Sequence, residues 1–199
     1  LEPFLEALRR VYLLSSGRSL TAFRRSPSPR KAAVLVPFLP RDGSLDLLFT
    51  LRAQGLGLHG GQLSFPGGRL ERGESPLGCA LRESEEEIGL RPEAVSFLGY
   101  MRPHRTYVSG YLVLPVLARV EVSSQGSFEL NPSEVSRLVL FPLGRLLELE
   151  PRIKPFRFGE ELGFYPEYSL DGLRLWGATA RMVYELCARA RRRGMDRWV

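Results

Sequence analysis

Apolar and charged positions alternate at helical spacing over residues 2–14, which predicts an N-terminal helix. Ser15 to Arg30, rich in Ser, Arg and Pro, reads as a surface connection. Ala32 to Phe38 is a short apolar run of the kind that fills a buried strand. Arg41-Asp42-Gly43-Ser44 is turn chemistry, so Leu45 to Arg52 is expected to pair back on that strand. A glycine-rich stretch, Gly55 to Gly61, leads through Gln62 to Phe65 into Pro66-Gly67-Gly68. A helix over residues 76–88 comes next: Ser75 suits the cap, Pro76 the first position and Gly89 the left-handed stop. Strands are expected over Val95 to Met101 and Tyr111 to Val122, a short helical turn at Asn131-Pro132, and a further strand at Val139 to Phe141. Phe164 to Leu170 and Leu173 to Trp176 flank Asp171-Gly172 as a hairpin. A last helix covers residues 178–193. With no repeat and no low-complexity linker, the pattern predicts one α/β domain over residues 1–199. It is a mixed sheet with helices on its faces, helices 2–14 and 178–193 being flanking elements.

Composition changes this picture little. The chain of 199 residues is 44% hydrophobic and 25% charged. It holds no apolar run near the roughly 18–20 residues that span a bilayer, so no membrane partner is expected. Val11 to Leu14 is too short for a secretory core. Cys79 and Cys187 give neither metal spacing nor a disulfide framework, which points to a reducing, cytoplasmic setting. The formal charge of +6 is almost all arginine, Lys31 and Lys154 being the only lysines. A basic surface suits polyanionic ligands. Part of the excess, however, lies in Arg189 to Arg193, where cations favour a helix C-terminus without any partner. A nucleic-acid partner is therefore not expected, and a homodimer is allowed.

The candidate chemistry lies on helix 76–88. At 100° per residue Leu77, Ala80, Leu81, Ser84 and Ile88 form a core stripe, while Glu83, Glu86 and Glu87 share another face. Oxygen ligands gathered in this way suit Mg²⁺ or Mn²⁺, and Arg82 stands beside them to orient a carboxylate. The same spacing also describes a solvated acidic face, and spacing alone does not decide between the two.

Gly68, Glu74, Arg82-Glu83, Glu86-Glu87 and Gly89 fall at the intervals of the Nudix box, which this segment resembles. A given window matches by chance on the order of once in 10⁸. Ser84 stands where that family prefers an apolar residue; its hydroxyl can bond back to the preceding turn. The resemblance implies a Nudix α/β/α sandwich with a mixed sheet and a loop–helix–loop catalytic motif. It implies that Glu83, Glu86 and Glu87, with the Gly68 carbonyl, hold Mg²⁺ or Mn²⁺. Glu83 or Glu86 would act in catalysis, and Glu74, Arg82 and Gly89 would support the motif.

Leu48 to Ala53, Gly61 and Phe65 to Gly68 further resemble the signature of coenzyme A pyrophosphatases within that superfamily, as does His59-Gly60-Gly61-Gln62. Gly57 departs from it, standing where arginine is usual. Asn131 to Val135, Phe141 to Leu143 and Leu175 to Ala180 are similar to the same subfamily. The implied reaction is metal-dependent hydrolysis of coenzyme A or a derivative to 3′,5′-ADP and a 4′-phosphopantetheine product. The implied partner is a small nucleotide-containing diphosphate. Arg52, His59 and Arg105 are the candidate substrate contacts. Glu134 is a candidate base or extra ligand, though three residues past Asn131 it also suits a capping arrangement. The alternatives are a hydrolase of ADP-ribose or another nucleoside diphosphate derivative, and a non-catalytic module that binds nucleotide or RNA.

Overall fold

A computed structural model describes residues 1–41, 43–54, 60–121 and 128–198. Its first half runs α1 (Glu2–Arg25), β1 (Lys31–Arg41), β2 (Ser44–Arg52), β3 (Leu63–Ser64), β4 (Gly67–Arg69), α2 (Pro76–Ile88), β5 (Val95–Tyr100) and β6 (His104–Arg105). Its second half runs β7 (Leu112–Val120), β8 (Val135–Pro142), α3 (Leu143–Glu148), β9 (Arg152–Phe158), β10 (Glu161–Leu170), β11 (Leu173–Leu175) and α4 (Gly177–Arg192).

Strand β1 organises the fold because its apolar side chains alternate between two buried faces. Val36 and Phe38 join Leu47 and Phe49 on one face, whereas Ala33 and Leu35 join Leu48, Val116 and Ala118 on the other. Helix α2 covers the second face with Cys79, Ala80 and Ile88. The first face is covered by Phe4, Leu8 and Tyr12 of α1, Leu146 of α3, and Val183 and Leu186 of α4. A sheet buried on both faces needs helices on both, and the result is an α/β/α sandwich. The sheet is mixed: β1 runs parallel to β7 and antiparallel to β2. Strand β8 lies along β2, while β9, β10 and β11 form a separate antiparallel sheet. Among the described residues no helix is long and apolar enough to cross a membrane.

The sheet opens where the chemistry lies. Strands β1 and β2 are paired only from Phe38 and Leu47 to Arg41 and Ser44, and beyond that they diverge. The segment 63–69 fills the gap: Leu63 and Ser64 pair with β2, while Gly67 to Arg69 pair with Val34 to Ala32 of β1. The Leu35 amide donates to the Pro66 carbonyl at 2.8 Å, closing the wedge.

Three expectations need correction. The N-terminal helix does not stop at Leu14 but continues to Arg25, through what read as a connection. Within the helix the Ser15 and Ser16 hydroxyls are satisfied by hydrogen bonds back to the Val11 and Tyr12 carbonyls. Ser16 also accepts the Tyr100 amide at 2.9 Å, and Phe23 packs into the core, so tertiary contacts outweigh weak local propensity. The helix ends at Ser26, whose backbone turns extended before Pro27. Residues 152–158, not read as a strand, form β9 against β10. The last helix starts at Gly177, one residue before the expected 178.

Gly99 sets how closely α1 approaches. Its φ is +148°, and a Cβ there would lie 2.6 Å from the Tyr12 backbone carbonyl carbon. Gly99→Ala is expected to cost about 3 kcal/mol, since both the conformation and the close approach resist a side chain. Thermal unfolding checks this. A drop of roughly 6–12 °C is expected for a chain of this size, and no drop would mean that α1 docks less tightly than described.

Candidate active site

Helix α2 is set by its ends. The Ser75 hydroxyl accepts the Gly78 amide at 3.0 Å, Pro76 occupies the first turn, and Gly89 stops the helix at φ +67°. The Ser84 hydroxyl donates to the Ala80 carbonyl at 2.6 Å, which satisfies it inside the core. The buried stripe is rotated from the expected one: Cys79 and Glu87 are buried, while Leu77 and Leu81 are only partly so.

That rotation puts the three glutamates at different depths. Their side chains are 4% exposed at Glu87, 18% at Glu83 and 58% at Glu86. Glu87 reaches into the wedge, where the Gly67 amide donates to it at 3.3 Å. Burial raises its carboxyl to about 7; Arg52 and the Gly67 amide oppose the rise, while Glu134 and Glu83 add to it. Burial likewise raises Glu83, against the pull of Arg82. The Glu83 carboxylate lies over the Gly68 backbone so closely that a Cβ at 68 would overlap it. The Gly68 carbonyl itself accepts from the Cys79 thiol at 3.5 Å.

Arg82 ties the motif together. Its Nε and Nη2 hold the two Glu74 oxygens at 3.0 and 3.3 Å, and Nη2 also donates to the Arg69 carbonyl. Nη1 meets Glu83 at 2.9 Å and Glu86 at 3.1 Å. The paired guanidinium holds Glu74 below the usual carboxylate range. Glu86 is thus turned outward and does not line the cleft beside Glu83 and Glu87.

Glu134 arrives from a distant turn. The Asn131 amide donates to the Glu87 carbonyl at 2.9 Å, docking the turn on α2, and the Ala53 amide holds the Glu134 carbonyl. The capping arrangement is made in part: Asn131 Oδ1 accepts the Ser133 amide at 3.2 Å and Asn131 Nδ2 donates to Glu134 Oε1 at 3.4 Å, whereas the Asn131 backbone amide goes to the Glu87 carbonyl. Glu134 also lines the cleft.

The cleft has a volume of about 530 Å³. Arg52 lines it, with Nη1 at 3.9 Å from Glu87 and a buried Nε that has no hydrogen-bond partner among the described residues. Arg105 lines it from the exposed side of β6. His104 points the other way, buried against Glu185 at 3.3 Å. His59 and Gly57 lie outside the described residues. Sequence reading did not single out Tyr107, Phe156, Tyr165 and Arg181, which also line the cleft. The available signal was the alternation of aromatic and polar residues around Phe156 and Phe158, a strand pattern.

The donors facing the cleft are carboxylates, the ligands of a hard divalent cation. Glu87 favours such an ion, since it is buried with its nearest guanidinium 3.9 Å away. Among the described residues no three acidic, His or Cys side chains form a ready cluster. The residues therefore fit an ion held by one or two carboxylates and completed by substrate oxygens, a common arrangement for Mg²⁺.

The model of the NUDIX domain family matches residues 29–159. The chain is 35% identical over 173 residues to proteins described as the uncharacterized Nudix hydrolase NudL, from Escherichia coli (strain K12) and from Shigella boydii serotype 4. In each case 82% of this chain and 84% of the relative are covered. Among solved structures, the fold is similar to a MutT/nudix family protein from Enterococcus faecalis, with a TM-score of 0.53 and 16% identity. That likeness covers 87% of this chain and 68% of the other. By sequence and by fold, this chain belongs to the Nudix family of hydrolases, which act on diphosphate bonds.

Proposed function

We propose that this protein hydrolyses the diphosphate of coenzyme A or a derivative, giving 3′,5′-ADP and a 4′-phosphopantetheine product. The observation that carries the reading is the cleft in which Glu83, Glu87 and Glu134 meet Arg52 in the wedge between β1 and β2. The resemblance to coenzyme A pyrophosphatases at Leu48 to Ala53, Gly61 and Phe65 to Gly68 supports the substrate class, and Arg52, Phe65, Gly67 and Gly68 of it line this cleft. We treat residues 1–199 as one domain, since the core on the α1 side includes residues from Phe4 to Met195.

Nudix hydrolases generally use divalent metals. Here Glu83 and Glu87 would hold Mg²⁺ or Mn²⁺, with the Gly68 carbonyl and Glu134 within the same wall. When bound there, such an ion would neutralise diphosphate oxygens and lower the pKa of an attacking water. Arg52, which lines the cleft beside Glu87, offers its Nη groups to a phosphate oxygen. In the alternative arrangement Glu83 takes the proton of the attacking water and leaves Glu87 and Glu134 as the carboxylates for the ion. Glu86 acts from outside the cleft: through Arg82 it helps hold Glu83 in place.

The test is turnover with Mg²⁺ or Mn²⁺ on coenzyme A, ADP-ribose, NADH and dGTP, with products identified. The fastest release should be of 3′,5′-ADP from coenzyme A. A preference for ADP-ribose or another nucleotide would leave a diphosphatase but sink the substrate assignment.

A further inference from the structure

A second wall of the cleft is chemically unlike the acidic one. It is built from three parts of the chain: the loop after β6, the β9–β10 hairpin and the start of α4. Tyr107 and Phe156 pack against each other, with centroids 4.6 Å apart and planes tilted by 52°. Tyr165 stands 6.2 Å from Phe156, and Trp176 lines the cleft beside the α4 N-terminus. All four rings are half-buried, and none belongs to a buried core cluster. Gly163 faces Phe156 across the hairpin, and a Cβ there would overlap the Phe156 ring. The glycine thus leaves room for that ring to lie over its neighbouring strand.

The two arginines of this wall differ from their neighbours in their pairing. The Arg181 guanidinium lies 5.5 Å from the Tyr107 centroid, and its Nη1 donates to the Arg105 carbonyl at 3.4 Å. Among the described residues neither Arg181 nor Arg105 forms an ion pair, whereas Arg174, behind Trp176, is tied to Glu167 at 2.6 Å. Helix α4 begins without a side-chain cap, and Gly177 to Thr179 line the cleft, so the positive end of a 16-residue helix adds to the field. From β4, which carries Gly68 under Glu83, to β6, which carries Arg105, the sheet steps across β1 and β7. Three strand spacings amount to about 14 Å, comparable to the reach of a nucleotide from its diphosphate to its far side.

We infer that this wall is the nucleoside subsite: Tyr107, Phe156, Tyr165 and Trp176 receive the base, and Arg181 with Arg105 takes a second phosphate carried on the ribose. Flat aromatic surface beside guanidinium groups that have no ion pair among the described residues matches a base with a nearby phosphate. A pantetheine arm offers neither. The inference rests on the coenzyme A reading and fixes which half of the substrate each wall holds. It also makes the ribose 3′-phosphate the group that selects coenzyme A over plain adenosine diphosphate derivatives.

The experiment compares coenzyme A with dephospho-coenzyme A, which lacks only that phosphate, in the wild type, Arg181→Met, Tyr107→Leu and Tyr107→Phe. Arg181→Met should lower kcat/KM for coenzyme A by roughly 10- to 100-fold, the size of a lost charge-assisted contact, and leave dephospho-coenzyme A nearly unaltered. Tyr107→Leu should raise KM for both substrates, and Tyr107→Phe should restore it. Equal losses on both substrates with Arg181→Met would overturn the phosphate assignment, as would no loss. Calorimetric binding of 3′,5′-ADP and 5′-AMP in Mg²⁺ buffer provides the second reading. The wild type should prefer 3′,5′-ADP by a margin that Arg181→Met abolishes. Equal binding of the two would overturn the subsite. If neither coenzyme A form is hydrolysed, the substrate reading fails, and the binding comparison still decides the subsite.

Discussion

Glu87→Gln is expected to abolish most turnover and yet stabilise the metal-free protein at alkaline pH. The two effects have one cause. The Glu87 carboxyl is buried and raised from 4.5 to about 7. In the unfolded chain it would titrate near its ordinary value, so the folded state binds the proton more tightly. The folded state therefore carries no penalty below about pH 4.5, a growing one up to pH 7, and the full penalty above it. A shift of that size corresponds to about 3 kcal/mol. Glutamine keeps the shape and an acceptor for the Gly67 amide but removes the charge. In chelator the variant should melt several degrees above wild type at pH 8 and together with it near pH 4.5. With Mg²⁺ the order should reverse, because an ion that binds only the folded wild type stabilises it by mass action. Turnover should fall roughly 100-fold or more, the scale of losing a group that holds the ion. A variant that is no more stable than wild type in chelator at pH 8 would show that Glu87 is not held buried and charged.

Gly67→Ala should do the reverse, costing both stability and activity. At φ +147° this backbone is closed to a side chain, and a Cβ would overlap the Ala33 carbonyl and the Val34 Cα. Both obstacles are backbone of β1, so neither can swing away. The expected cost is at least about 3 kcal/mol, read as a fall of roughly 6–12 °C in melting temperature. Activity should fall with it, because the Gly67 amide orients Glu87. Gly73→Ala is the control: φ is +84° there, but the space is open, so only the conformational cost of about 1–2 kcal/mol should appear. Equal melting temperatures for the two variants would mean that the wedge tolerates a side chain and is not a tight fit.

Much of this was legible in the chain because it was local. Ser75-Pro76 and Gly89 mark both ends of α2 through hydrogen bonds within a few residues, and those ends are where the sequence placed them. The Leu45 to Arg52 return strand and the hairpin around Asp171-Gly172 followed from turn chemistry in the same way. The family could be read from fixed spacings within one loop and helix. Helix α1 was misjudged where locality fails: Ser15 and Ser16 are weak helix residues, and what keeps them helical includes an amide of Tyr100, 84 positions away.

What the sequence determined by itself was the set of acids and the face they share, since helical angles are a property of the backbone. Only the tertiary structure decided their depths, because burial depends on what packs above the helix. Glu87 is driven into the wedge by the divergence of β1 and β2, Glu86 is drawn out by Arg82, and Glu134 is brought in by an amide that docks on the end of α2. The aromatic wall has the same origin. Tyr107, Phe156, Tyr165 and Trp176 lie on segments that meet only when the sheet, the hairpin and α4 have assembled, and no spacing along one strand or helix carries that information.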